Sequence, residues 1–227
     1  MRNILLCLLG FPALSSYGQF ALVADKDGYS NVRKEGQSGA PVIDTLHNGH
    51  LVFCWETKEG WTNIYYAKKT SEERPGYIHR DRFKLITDYV SIPARGKDYS
   101  VFSKDSIIVT QSIRPFDKAQ YRVSYVKGEP GVVASINGRQ VYGTDGELPK
   151  RAYRSIRIRL GNRELALPKN AFDDLFEPTP WNTTVNYDRE RDILYIQSMN
   201  SDGAGAYSVI WTIGKGEYIG RWISGMN

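Results

Sequence analysis

Cysteine is nearly missing from this chain. There are two, Cys7 and Cys54. Cys7 lies inside an apolar N-terminal run, Ile4 to Leu14, which follows Met1-Arg2 and ends near Ser16-Tyr17-Gly18. A single positive charge, a short apolar run and small residues before Gln19 predict a secretory signal peptide over residues 1–18, with cleavage before Gln19. Cys7 is too early in that segment to be a lipid-anchored cysteine at the cut. Its removal leaves Cys54 alone, so the mature chain has no partner for an internal disulfide, and packing must stabilise it. Cys54 sits in "LVFCW", where a buried, inert thiol is expected rather than a nucleophile.

Other absences narrow the function. Histidine occurs three times, at His47, His50 and His79. The chain beyond residue 79 therefore lacks the commonest general base and zinc ligand. His47 and His50 flank Asn48-Gly49, and the sequence supplies no Cys or Glu spacing that completes a zinc site. Beyond the leader, no apolar stretch approaches the ~20 residues of a membrane helix. The net charge is +5, with 30 basic and 25 acidic residues, which is not the composition of a nucleic-acid binder. Helical periodicity is almost absent. The one helix expected is Lys169 to Leu175, after Pro168, with Ala171, Phe172 and Leu175 on one side.

What the chain does have is short alternating segments broken by Gly, Pro, Asn and Asp, with 15 tyrosines and 5 tryptophans. This is a β-rich pattern. Residues 20–86 form one compact β unit, and 87–95 form a junction. Residues 96–227 carry ten further strand candidates: "SIIVTQSI", "QYRVSYV", "GVVASI", "RQVYG", "YRSIRIRL", "RELALP", "TTVNY", "DILYIQS", "AYSVIWTI" and "EYIGRWIS". Turn residues between them predict a β-sandwich or open barrel.

Within the first unit, Asn31-Val32-Arg33 precedes a Gly-rich loop. Val42-Ile43-x-x-Leu46-x-x-Gly49, Gly60-Trp61-x-x-Ile64 and Gly76-Tyr77-Ile78 follow in order. Residues 20–86 thus resemble the bacterial SH3 domain family. The resemblance implies a small barrel whose core holds Val32, Val42, Leu46, Val52 and Ile78, with Trp61 in that core or on the floor of a groove. It also implies that Asn31 satisfies loop backbone groups, that Arg33 projects outward, and that an aromatic-lined groove takes extended peptide or glycan. The residues at the barrel rim are Tyr29, Trp55 and Tyr77, which become the candidate ligand-binding residues.

The remaining constellations give little chemistry. No Gly-x-Ser-x-Gly elbow is present. His50 and Cys54 are four apart on a strand, about 13 Å, too far for a dyad. Asp173, Asp174 and Glu177 cluster, but sequence gives them no glycosidase geometry. The loop Asn200 to Ser208 has a Gly-x-Gly but leads into a strand, not a helix, so it is a hairpin loop or a recognition loop rather than a phosphate cradle. In "KRAYRSIRIRLGNR", Arg157 and Arg159 share a strand face opposite Ile156 and Ile158. That face is either simply solvated or a basic stripe for an anionic partner.

The expectation is an exported all-β protein, periplasmic or secreted, with an SH3-like barrel followed by a sandwich or open barrel. It is read as a non-catalytic envelope binder of peptidoglycan-type glycopeptide or of a protein strand, with no cofactor, no metal and no nucleic-acid partner. The first alternative is a protein-binding inhibitor or immunity-type factor acting through the second domain. The second is an enzyme of unrecognised chemistry.

Overall fold

The structure is a computed structural model and describes residues 18–68 and 72–225. The expected leader, up to Tyr17, lies outside the described residues. The chain is all-β, and its only helical elements among the described residues are short 3-10 turns.

The first unit comprises β1 (Gln19–Val23), β2 (Tyr29–Arg33), β3 (Val42–His47), β4 (Leu51–Lys58), β5 (Trp61–Tyr66), β6 (Arg74–His79) and β7 (Phe83–Leu85). They make one seven-stranded antiparallel sheet in the order β3-β2-β6-β5-β4-β1-β7. Val23, Val32, Leu46, Val52, Cys54, Ile64, Tyr66, Ile78 and Phe83 share one core. These residues come from every strand of the sheet, so the sheet must curl round its own inner face. The turn at Asn48-Gly49 forms as expected, with Gly49 at φ 86° and His50 N–H donating to the His47 carbonyl. The Asn48 side chain clamps Asp25, accepting from its N–H and donating to its carbonyl, both at 2.8 Å.

One core assignment is corrected, and one of the two places expected for Trp61 is excluded. Val42 is 48% exposed. Arg33 pairs with Val42 while Val32 pairs with Asp44, so a bulge inserts Ile43 and turns Val42 off the face that Leu46 uses. Trp61 is half-buried on the outer face, because Thr62, Ile64 and Tyr66 take the inward positions of β5. Ser30, on the same face of β2 as Val32, is also buried.

The second unit comprises β8 (Val90–Ser91), β9 (Ala94–Arg95), β10 (Val101–Lys104), β11 (Ile107–Pro115), β12 (Val123–Tyr125), β13 (Val133–Ile136), β14 (Arg151–Leu160), β15 (Arg163–Ala166), β16 (Thr183–Asp188), β17 (Ile193–Asn200), β18 (Tyr207–Gly214) and β19 (Glu217–Gly225). One five-stranded sheet runs β15-β14-β11-β10-β9 and another runs β19-β18-β17-β16-β8, with β12-β13 as a separate ribbon. Phe102, Val109, Ile156 and Ile158 of the first five-stranded sheet share a core with Leu194, Ile196, Val209 and Trp211 of the second. The two therefore face each other as a sandwich. The junction is woven into both: β8 pairs with β16, β9 pairs with β10, and Ile92 between them is buried in the common core. "RQVYG" forms no strand and makes only isolated bridges. The expected helix at 169–175 is a 3-10 turn over Lys169–Ala171, although Ala171, Phe172 and Leu175 are buried as expected.

The sheet containing β17 and β18 is covered on both sides. Leu194, Ile196, Val209 and Trp211 face the sandwich core. Tyr195 and Ile210, with Trp222 beside them, face the first unit and meet Phe20, Leu22, Phe53 and Ile86. Phe20 lies edge-on to Trp222 at 5.5 Å. Burial on both faces explains why "ILYI" and "VIW" read as unbroken apolar runs rather than alternating ones. The same holds for "LVFCW", where Val52 and Cys54 point into the first core and Phe53 into the interface.

Candidate functional site

The clearest groove on the first unit is built by a turn and a bulge. Lys58 pairs with Trp61 across the two-residue loop Glu59-Gly60, both at positive φ, 52° and 81°. This is the tight hairpin that matches strand twist. Further along, Cys54 pairs with Ile64 but Thr57 pairs with Thr62, so Trp55 and Glu56 together oppose Asn63. A bulge of this kind re-aims side chains. Asn63 pairs in turn with Tyr77, and Tyr77 with Arg33. A row of outward side chains thus crosses four strands: Trp55 and Glu56, Asn63, Tyr77, Arg33. Trp61 and His79 form the next row. Strands lie about 4.8 Å apart, so the row is long enough for several units of an extended ligand.

The resulting groove encloses about 750 Å³. Trp55, Trp61 and Tyr77 give it three aromatic surfaces, and Lys34, Lys58, Glu35, Glu56 and Glu59 supply both charge signs. Gly36 closes one side: a Cβ there would stand 3.0 Å from the Trp61 Cβ and 3.2 Å from the Tyr77 ring. Two of the three aromatic residues expected at the rim, Trp55 and Tyr77, therefore share one groove. Trp55 also packs edge-on against Phe53 at 5.3 Å, at the margin of the interface with the second unit.

Tyr29 lies elsewhere. It is 43% exposed, with its ring 6.5 Å from that of His47. It lines an adjacent crevice of about 400 Å³ with Arg33, His79, Arg82 and Trp61. Trp61 borders both cavities, so it links Tyr29 to the groove. Of the two places expected for Trp61, core or groove floor, the structure shows the groove. Counting by twos from Ile64 would have put it on the outer face.

Arg33 lies on the outer face of β2, as expected, and is tied down there. Its guanidinium donates to the Ala40 carbonyl at 2.6 Å and lies 5.8 Å from the Trp61 ring centre, which ties the 34–40 loop to the groove. Asn31 serves no loop backbone; its side chain accepts from Thr45 Oγ1 at 3.1 Å across the strand pair.

His79 Nδ1 lies 2.6 Å from Asp81 Oδ1, an arrangement that orients an imidazole. The ring is partly exposed and lines the crevice beside Tyr29, with Nε2 over the hairpin, 2.8 Å from where a Cβ on Gly60 would stand. Burial pushes the Cys54 thiol up to about 12, which keeps it protonated and unreactive. Among the described residues, no cluster of three or more His, Cys, Asp or Glu side chains is arranged to hold a metal.

In the second unit, Arg157 and Arg159 are exposed on β14 while Ile156 and Ile158 are buried. Their sheet is the outer layer of the sandwich, and the other sheet separates it from the first unit. The arginine face and the aromatic groove are thus two distinct surfaces. Arg159 pairs across the strands with Glu164. The Asp173 group is held by ion pairs and backbone hydrogen bonds. Buried Asp174 takes two 2.6 Å bonds from Arg221 and one from Arg139. Asp173 pairs with Arg139, and Glu177 binds the backbone of Lys150 and Arg151.

Comparison of the chain with family models, with curated proteins and with solved structures finds no match. The functional reading therefore rests on these residues and their geometry.

Proposed function

We propose that the protein is exported to the cell envelope and binds there without catalysis, through an SH3-type first unit whose groove takes an extended peptidoglycan-type glycopeptide. One observation carries the reading: Trp55, Trp61 and Tyr77 line a single groove with lysines and glutamates around it. Aromatic faces suit sugar rings and extended peptide at low entropic cost. Mixed charges at the margin suit a stem peptide bearing both amine and carboxylate groups. The SH3-type resemblance of residues 20–86 adds support.

The test is sedimentation with purified sacculi at low and high salt. Wild type is expected to bind. Tyr77→Ala removes an aromatic anchor, which costs about 2 kcal/mol, roughly thirtyfold in affinity. Tyr29→Ala weakens binding less, since Tyr29 reaches the groove only through Trp61. Arg157→Ser with Arg159→Ser leaves it unchanged. Steep salt dependence, with loss only in the arginine variant, moves the site to the sandwich. No binding by wild type refutes the glycopeptide reading.

A further inference from the structure

The second unit carries a larger groove, of about 830 Å³, that the first reading does not use. Three loops build it: 143–151, 177–182 and 199–206. Buried polar links pin them together. Asn200 is fully buried, and its Oδ1 accepts from the Thr179 N–H at 2.8 Å, fixing the loop that carries Trp181. Ser201 Oγ donates to the Gly143 carbonyl at 2.8 Å. Gly205 packs so closely on Thr144 that a Cβ would stand 2.9 Å from its carbonyl carbon. The loop Asn200 to Ser208 is thus both the hairpin connection of β17 and β18 and one wall of this groove.

Its lining is unlike ordinary surface. Trp181 is 60% exposed and Leu148 37% exposed, two large apolar side chains left in water in one cavity. Around them stand the carboxylates Asp145, Glu147, Glu177 and Asp202, against Lys150 and Arg151. Glu177 is taken up by Arg151 and the backbone. That leaves three carboxylates to one lysine, in a chain whose net charge is +5. The local sign opposes that of the whole molecule. A rigid scaffold, exposed apolar anchors and a reversed local charge are the marks of a preorganised recognition surface.

We propose that this groove docks a segment of a protein partner that presents an apolar side chain flanked by lysine or arginine. The apolar side chain packs on Trp181 and Leu148. The cations meet Asp145, Glu147 and Asp202, with the indole face of Trp181 adding a cation–π contact. The site is independent of the aromatic groove on the first unit.

Three labelled octapeptides test this by fluorescence anisotropy: alternating Lys and Leu, alternating Glu and Leu, and alternating Lys and Gly. The Lys/Leu peptide is expected to bind saturably and the other two at least about tenfold more weakly. Trp181→Ala should weaken it about tenfold or more, and Trp181→Phe should restore part of that. Asp145→Asn with Glu147→Gln and Asp202→Asn should weaken it and flatten its salt dependence. Tyr77→Ala should change nothing, which separates this site from the groove on the first unit. All these positions are exposed or only half-buried, and matched circular dichroism spectra confirm that each variant folds. The proposal is overturned if wild type binds no cationic peptide, if Glu/Leu binds as well as Lys/Leu, or if Trp181→Ala binds normally. Saturable binding of a neutral chitin-type oligosaccharide, lost in Trp181→Ala and without peptide binding, would also replace it.

Discussion

Cys54 shows how far one residue can be argued from its place in a sheet. It alternates with Phe53, so one side chain fills the first core and the other the interface. Burial raises its thiol to about 12 from an ordinary 9.0. The folded state therefore holds the proton at pH values where the unfolded chain releases it. Its contribution is fully present below about pH 9 and is lost as pH rises towards about 12. Cys54→Ser, which does not ionise in this range, should show a shallower loss of stability between those limits in urea titrations at stepped pH. A polar thiol reagent should modify wild type slowly when folded and at once in denaturant. Rapid modification of the folded protein would contradict the buried thiol. Trp61 makes a complementary point: the resemblance left it core or groove floor, and its odd spacing from buried Ile64 decides for the outer face.

At the scale of elements, legibility followed the covering of each strand. β14 has one buried and one wet face, so its alternation placed Arg157 and Arg159 correctly from sequence. β17 and β18 are covered on both faces, so they were recognisable as strands, but which residues faced which layer was not. β10 was missed because Val101–Lys104 is short and half polar. The bulges that expose Val42 and turn Trp55 towards the groove depend on pairing across strands, which a local reading does not contain. Nor does it contain the three distant loops that meet at Trp181. Hairpins were more legible, and one is not optimal. Lys215-Gly216 sits between the paired Gly214 and Glu217 with φ of 54° and 79°. Lysine is a poor residue for positive φ, and Asn-Gly is the favoured pair for this turn. The Lys215 backbone makes the loop's contacts, accepting from Arg163 and donating to the Asp192 carbonyl, so its side chain is free to change. Lys215→Asn is expected to stabilise by about 0.5–1 kcal/mol, seen as a small rise in Tm. A lower Tm would mean that the lysine side chain matters more than its backbone.

For the whole molecule, the deciding feature is the apolar layer between the units. β1 lends Ala21 and Val23 to the first core and Phe20 and Leu22 to the interface. Taking the second unit away would expose Phe20, Leu22, Phe53 and Ile86 together, with Tyr195 and Ile210 on the other side. A contiguous apolar face of this kind is unfavourable in water. Neither unit is therefore expected to survive the loss of the other, and the protein should unfold in one transition despite its two cores. Calorimetry of wild type is expected to give one peak, with calorimetric and van't Hoff enthalpies equal. Phe20→Ser removes a buried ring from the interface and leaves the inner positions of β1 untouched. It should cost about 3 kcal/mol and lower that single transition for the tryptophans of both units alike. Two resolved peaks in wild type would show that the layer is a contact between independent domains. A Phe20→Ser variant that melted the first unit early, with the sandwich unchanged, would locate the ring's contribution in one core alone. Either result would matter for binding. If the layer couples the units, a ligand in the aromatic groove, whose wall Trp55 touches that layer, stabilises the sandwich as well, and the peptide groove at Trp181 inherits the same gain in melting temperature.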